Sequence, residues 1–244
     1  MLVDTHCHID LCKAAVQEVV SGDIIIISNG TDLQSNKKVL EYAKIFPNVR
    51  AALGLYPTEA LKLSPKALKE VFQFIEDNKN KIVAVGEVGI DFYHITDLKE
   101  QKKEIEVFKQ IIDLANKINK PLIVHSRKAS EKALSLLKKA KVPVVMHCFE
   151  GNSTQTHEAL ERGYYFTVPA NFWTRKGFKK TAQRVPIDKI LTETDSPFLS
   201  PIEGENKPAN VRYAVKKLAE IKQIHESKVE TQIYQNFKKM FIKE

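Results

Sequence analysis

The sequence predicts a (β/α)8 TIM barrel, an α/β fold forming a single domain over residues 1–244. Three observations predict it. Eight short, largely apolar runs alternate with amphipathic segments of helical period along the whole chain. The length of 244 residues is close to the roughly 250 typical of this architecture. His, Glu and Asp side chains recur just after the apolar runs, where a parallel barrel would gather them at one rim.

In order, the expected strands are residues 2–7, 23–28, 49–53, 82–86, 122–125, 144–147, 164–168 and 190–194. Their near-continuous apolarity suits strands covered on both faces. Helix 35–45 places Val39, Leu40 and Ala43 on one face. Helix 64–78 opens with Ser64-Pro65, an N-cap and first-turn pair, and aligns Leu68, Val71, Phe72 and Ile75. The longest, 98–119, carries Ile105, Phe108, Ile111, Ile112 and Ala115 on one face. Helices 130–140 and 157–162 follow, the second stopped by Gly163, and 210–222 and 228–241 close the chain. A doubly wound open sheet is the rival architecture. It would require a Gly-rich turn after the first strand, where this chain has His6-Cys7-His8.

Composition narrows the setting. Apolar residues make up 43%, and only 9 glycines and 10 prolines are present, so no flexible linker is expected. The longest apolar stretch, Ile24 to Ile27, is far too short to cross a bilayer, and the N-terminus shows no signal-peptide pattern. Three cysteines, Cys7, Cys12 and Cys148, form no CxxC pair. They point to a reducing, cytoplasmic setting, with Cys7 and Cys148 as small fillers beside a site. The net charge of +8 fits a polyanionic partner. No obligate protein partner is implied.

His6 and His8, two apart on a strand, point the same way. Glu87, His125, His147 and Asp195 each fall at or just past a later strand. Taken singly, Glu87 could be ion-paired to a lysine and Asp195 could cap a turn before Pro197; neither reading explains the joint pattern. Four imidazoles and two carboxylates suffice for two divalent cations with a position left open for water. A buried Glu87 would in any case need a cation, donors or a shifted pKa.

Five ordered blocks carry a resemblance. They are Asp4-Thr5-His6-Cys7-His8-Ile9-Asp10, Gly86-Glu87-Val88-Gly89-Ile90-Asp91, His125-Ser126-Arg127, His147-Cys148-Phe149-Glu150-Gly151 and Glu193-Thr194-Asp195-Ser196-Pro197. Together they resemble the TatD-type metal-dependent deoxyribonucleases of the amidohydrolase superfamily. The resemblance implies one metal held by His6, His8, Glu87 and Asp195, and a second by Glu87, His125 and His147, with Glu87 bridging. It implies Zn2+, Mn2+ or Mg2+ as the ions, a catalytic role for Glu87 and Asp195, and 3′-to-5′ hydrolysis of single-stranded DNA. Asp195 would orient or deprotonate the attacking water. Arg127 would clamp a phosphate through its planar fork.

Three departures bear on substrate. Gly54-Leu55-Tyr56-Pro57 stands where many members have Gly-Ile-His-Pro, leaving Tyr56 as a substrate-side hydrogen-bond donor. Glu150 replaces a serine, and Lys207 replaces an acidic residue. These changes keep open an alternative on the same site, hydrolysis of an ester or amide bond such as D-aminoacyl-tRNA deacylation. A non-catalytic nucleic-acid-binding protein is a third class, disfavoured by the filled ligand positions. Residues 171–180 mix Phe172, Trp173 and Phe178 with Arg175, Lys176, Lys179 and Lys180. This suits stacking on unpaired bases beside phosphate contacts, with Trp173 and Arg175 as substrate-binding residues. The same residues would also suit a helix start with its aromatics packed inward.

Overall fold

Eight parallel strands pair in chain order: β1 (Leu2–Cys7), β2 (Ile24–Asn29), β3 (Val49–Leu53), β4 (Ile82–Gly89), β5 (Leu122–His125), β6 (Val144–Met146), β7 (Tyr165–Pro169) and β8 (Ile190–Glu193). The computed structural model describes residues 1–242, so residues 243–244 of the expected domain lie outside the described residues. The helices are α1 (Val16–Val19), α2 (Leu33–Ile45), α3 (Pro57–Lys62), α4 (Pro65–Asp77), α5 (Leu98–Ile118), α6 (Ser130–Leu137), α7 (Ser153–Glu161), α8 (Lys176–Arg184), α9 (Val211–Lys222) and α10 (Glu226–Phe241). The result is the expected (β/α)8 barrel, nearly closed.

Side chains sew the seam between β8 and β1. The Thr5 hydroxyl donates to the Thr192 carbonyl at 2.9 Å, and the Thr192 hydroxyl to the Val3 carbonyl at 2.6 Å. Asp4, fully buried, accepts from the Thr194 amide at 2.9 Å and from its hydroxyl. Two main-chain bonds continue the seam past the strands, Asp195 N–H to His6 O at 2.9 Å and His8 N–H to Ser196 O at 2.7 Å. These bonds fix the chain on either side of His6, His8 and Asp195, so the seam also aligns candidate ligands from the two ends of the sequence.

Helix boundaries follow local chemistry. Ser64 caps α4 by accepting from Ala67 N–H, and Asp32 caps α2, which begins at Leu33, two residues before the expected start. α7 begins at Ser153 rather than at residue 157, because Asn152 and Gln155 form a reciprocal capping box. α1, α3 and α8 were not expected from the periodicity. α8 is strongly amphipathic and buries Phe178, Thr181 and Ala182. Its place between β7 and β8 is the crossover that a parallel pair requires.

The aromatics of residues 171–180 follow mainly the inward-packed reading, although Phe178 also reaches the cavity wall. Phe172 is fully buried, Phe178 is nearly so, and Trp173 is partly buried against the core. A barrel helix must bury apolar surface against the strands, and these rings supply it.

β4 runs to Gly89, three residues beyond the expected end, so Glu87 lies within the strand. Two glycines make room for it. A Cβ on Gly54 would meet the Glu87 main-chain oxygen at 2.4 Å, and one on Gly89, whose φ is +147°, would meet the His125 oxygen at 1.9 Å. The backbone is thus closely packed around the Gly86-Glu87-Val88-Gly89 segment.

Candidate metal centre

His6, His8, Glu87, His125 and His147 are buried at the carboxyl end of the barrel, with Asp195 partly exposed beside them. The two oxygens of Glu87 face different partners. Oε2 lies 3.3 Å from His8 Nε2 and 3.6 Å from His6 Nε2. Oε1 lies 2.9 Å from His125 Nδ1 and 3.7 Å from His147 Nε2. Asp195 Oδ1 stands 3.5 Å from Nε2 of both His6 and His8. The histidine and carboxylate partners of Glu87 are those anticipated from sequence. Among the described residues Glu87 pairs with histidines and not with the lysine considered for it.

Hydrogen bonding fixes how the imidazoles face. His8 Nδ1 donates to the Asn29 carbonyl at 2.9 Å, which leaves Nε2 to face Glu87 and Asp195, as a donor when protonated or as a ligand when a metal ion is bound. His147 Nδ1 donates to Glu193 Oε2 at 2.7 Å, and His125 Nε2 to Asp91 Oδ2 at 2.9 Å. This is how metal-ligating histidines are oriented, with the remote nitrogen tied to a carbonyl or carboxylate. His125 sits between two carboxylates that can only accept. A neutral imidazole has one proton to give, so its contact with Glu87 calls for a cation, either a second proton or a metal ion. His6 Nδ1 is buried with no hydrogen-bond partner, and its Nε2 is 3.2 Å from His8 Nε2. Ligand atoms converge in three triads suited to a divalent ion: His6, His8 and Glu87; His6, His147 and Asp195; Glu87, His125 and His147. The donor set therefore fits metal ions.

Electrostatics agree. Burial opposes charge on Glu87, yet hydrogen bonds from His125 and His8 hold its carboxyl well below the usual range. Burial likewise opposes charge on Asp195, and His6 and His8 lower it. Burial and the neighbouring His147 lower His6. For His147, burial is outweighed by Glu193, which raises it to about 9.

Cys148 joins a fourth triad with His147 and Glu193. Burial and the Glu193 charge push its thiol well up, and Sγ donates to Glu193 Oε1 at 2.9 Å. It acts as a proton-bearing neighbour of the site. Cys7 is buried, its thiol 3.5 Å from the Ile27 carbonyl.

Residues that sequence reasoning left without a role do the positioning. Asp91 Oδ2 accepts from His125, from the Tyr56 hydroxyl at 2.9 Å and from His94 Nδ1 at 2.8 Å. Asp91 and Glu193 stood inside the quoted blocks, four residues after Glu87 and two before Asp195; that spacing was their only signal. Asn29 acts through its backbone carbonyl and left no signal at all.

A cavity of about 650 Å³ opens above the cluster, lined among others by Tyr56, Arg127, Lys128, Glu150, Arg175 and Phe198. Arg127 precedes α6, and its guanidinium lies 3.8 Å over the Tyr93 ring. Tyr56 reaches the cavity with its hydroxyl already given to Asp91. Arg175 lines the cavity as anticipated, whereas Trp173 does not; it packs near Lys217, 5.9 Å from its ring. Glu150 does bring negative charge to the wall. No helix among the described residues is long and apolar enough to cross a membrane.

Comparison with known proteins matches the family model "TatD related DNase" over residues 3–242. An uncharacterised metal-dependent hydrolase of Methanocaldococcus jannaschii is 32% identical over 98% of this chain and 96% of its own. The deoxyribonuclease TATDN3 of Homo sapiens is 29% identical, covering 99% of this chain and 95% of its own. Among solved structures, the TatD homologue YJJV of Escherichia coli superposes with a TM-score of 0.87 at 25% identity, covering 100% of this chain and 98% of that one. A barrel of this order, a histidine and carboxylate cluster at its carboxyl end and a family match across almost the whole chain lead to one assignment: the chain belongs to the TatD family of metal-dependent hydrolases.

Proposed function

We propose that this protein is a metal-dependent deoxyribonuclease that hydrolyses phosphodiester bonds, working from the 3′ end of single-stranded DNA. One observation carries the reading: Glu87 turns one oxygen to His6 and His8 and the other to His125 and His147. A carboxylate so divided is suited to lie between two divalent cations, Zn2+, Mn2+ or Mg2+. His6, His8, Glu87 and Asp195 would hold one ion, and Glu87, His125 and His147 the other. When bound, such a pair supplies Lewis-acid stabilisation of both oxygens in a displacement at phosphorus and lowers the pKa of water.

The chain's own groups do the rest. Asp195 is the most exposed member of the cluster, with its side chain 17% accessible, and it takes the proton of the attacking water. Arg127 binds a phosphate oxygen pair through its fork, steadied by Tyr93 beneath it. Arg175 and Lys128 add positive charge along the same cavity. Tyr56 acts through Asp91, holding the carboxylate that orients His125. The TATDN3 relative, named a deoxyribonuclease, supports DNA as the substrate class.

The test is digestion of a 5′-labelled single-stranded oligonucleotide with Mg2+, Mn2+ or Zn2+, beside Glu87→Ala. The reading expects a ladder shortening from the 3′ end, absent in the variant. Failure of the metal-loaded wild type to cleave DNA would move the assignment to ester or amide hydrolysis, with D-aminoacyl-tRNA as the next substrate.

A further inference from the structure

Beside His8 the cavity wall is apolar and carries Leu11, Phe198 and Leu199. Phe198 is 53% exposed and Leu11 48%, among the largest apolar exposures of the described residues. The Phe198 ring centroid lies 6.4 Å from that of His8, at an interplanar angle of 64°. An aromatic ring left in water at a site mouth forgoes the burial that rings elsewhere in this barrel obtain.

The backbone beneath this ring is firmly held. Phe198 N–H donates to Asp195 O at 2.8 Å. Asn206, only 1% exposed, donates from Nδ2 to the Phe198 carbonyl at 2.7 Å and to the Thr194 carbonyl at 2.8 Å. The turn thus binds the main chain of Asp195 and presents the phenyl ring outward. Consecutive pairing from β1 to β8 puts the ends of β1 and β8 across the barrel from the end of β5, where Arg127 and Lys128 stand. One side of the mouth is a fixed aromatic surface, and the other carries Arg127 and Lys128, with Glu150 also on the wall.

We propose that Phe198, with Leu11 beside it, is a stacking platform for an unpaired nucleobase of the substrate strand. This rests on the nuclease reading above. A nucleotide offers the two surfaces that this mouth complements: a flat apolar base for Phe198 and an anionic phosphate for Arg127 and Lys128. An unpaired terminal base can swing onto the ring without breaking a base pair, so the platform favours unpaired ends. It would take the stacking role expected of Trp173, which packs partly buried against the core and does not line the cavity.

The test is binding, so that it does not depend on turnover. Metal-loaded protein is titrated with a short phosphorothioate strand carrying 2-aminopurine at its 3′ end, followed by fluorescence quenching. The same strand with an abasic 3′ residue serves as competitor. Wild type should prefer the base-bearing strand. Phe198→Ala should weaken that strand roughly 5- to 100-fold and leave the abasic strand unchanged. Phe198→Leu, which keeps apolar bulk without a flat face, should fall with it, and Phe198→Trp should retain binding. Equal loss on both strands, no loss, or a wild type indifferent to the base would overturn the platform. A wild type that prefers the base but cleaves no DNA would support the platform and sink the nuclease reading.

Discussion

Glu193 Oε2 accepts the Nδ1 proton of His147 at 2.7 Å, while Oε1 takes the amide and the thiol of Cys148 at 3.2 and 2.9 Å. One buried carboxylate therefore sets the tautomer of a candidate ligand and locks the residue after it. Glu193→Gln keeps the shape but puts amide hydrogens where acceptors are needed. Metal affinity and turnover should drop together by about 10- to 100-fold, with the melting temperature of the metal-free chain little changed. Titration with Mn2+ or Zn2+ checks the first and thermal unfolding the second.

Removing the shared carboxylate goes further. On the proposed two-ion reading, Glu87→Ala should lower the metal content per chain and reduce turnover by more than about 100-fold. Elemental analysis after dialysis gives the stoichiometry. Full activity in that variant would end the assignment of Glu87 as a bridging ligand.

Arg127 touches none of the candidate ligands and stands over Tyr93. Arg127→Ala should therefore spare metal content and weaken single-stranded DNA binding by about 1.5–3 kcal/mol, the worth of hydrogen bonds to a charged group. The slope of log affinity against log salt should fall by about one. Binding isotherms at several salt concentrations separate this outcome from a structural effect, which would also disturb metal content.

Glu104 gives a pH prediction outside the cluster. It lies buried on α5, with Oε2 accepting the Asp91 amide at 3.1 Å and Oε1 without a partner. Burial, opposed by that hydrogen bond and reinforced by the Asp91 charge, raises its pKa from 4.5 to about 7. The folded chain holds this proton more tightly than the unfolded chain, so stability from this group falls as pH rises from 4.5 to about 7. Glu104→Gln removes that loss and keeps an acceptor for the Asp91 amide. The variant should match wild type near pH 4.5 and exceed it by about 1–3 kcal/mol at pH 8, at about 1.4 kcal/mol per pKa unit. Urea unfolding at the two pH values decides it; a wild type as stable as the variant at high pH would refute the assignment.

The repeating pattern of the sequence determined the barrel. All eight strands fall within a few residues of where apolar runs place them, and His6, His8, Glu87, His125, His147 and Asp195 come together as their strand-end positions require. Such information is local, because a strand's burial and the direction of its side chains are written in its own residues. Tertiary structure decided what depends on partners far apart in the chain. The Asn29 carbonyl, Asp91 and Glu193 aim the imidazoles through contacts between distant parts of the chain, of which sequence spacing hinted at the two carboxylates and not at the carbonyl. Phe172 and Phe178 look like stacking residues in sequence but are buried, and Trp173 packs partly buried against the core, because the β7–β8 crossover needs apolar cover that its lysines cannot give. Phe198 reads like an ordinary apolar residue after a proline, yet its turn, tied to Asp195 and Asn206, holds it in water at the mouth of the site. Periodicity fixes which side chains face inward; only the closed barrel decides which of them find a partner there.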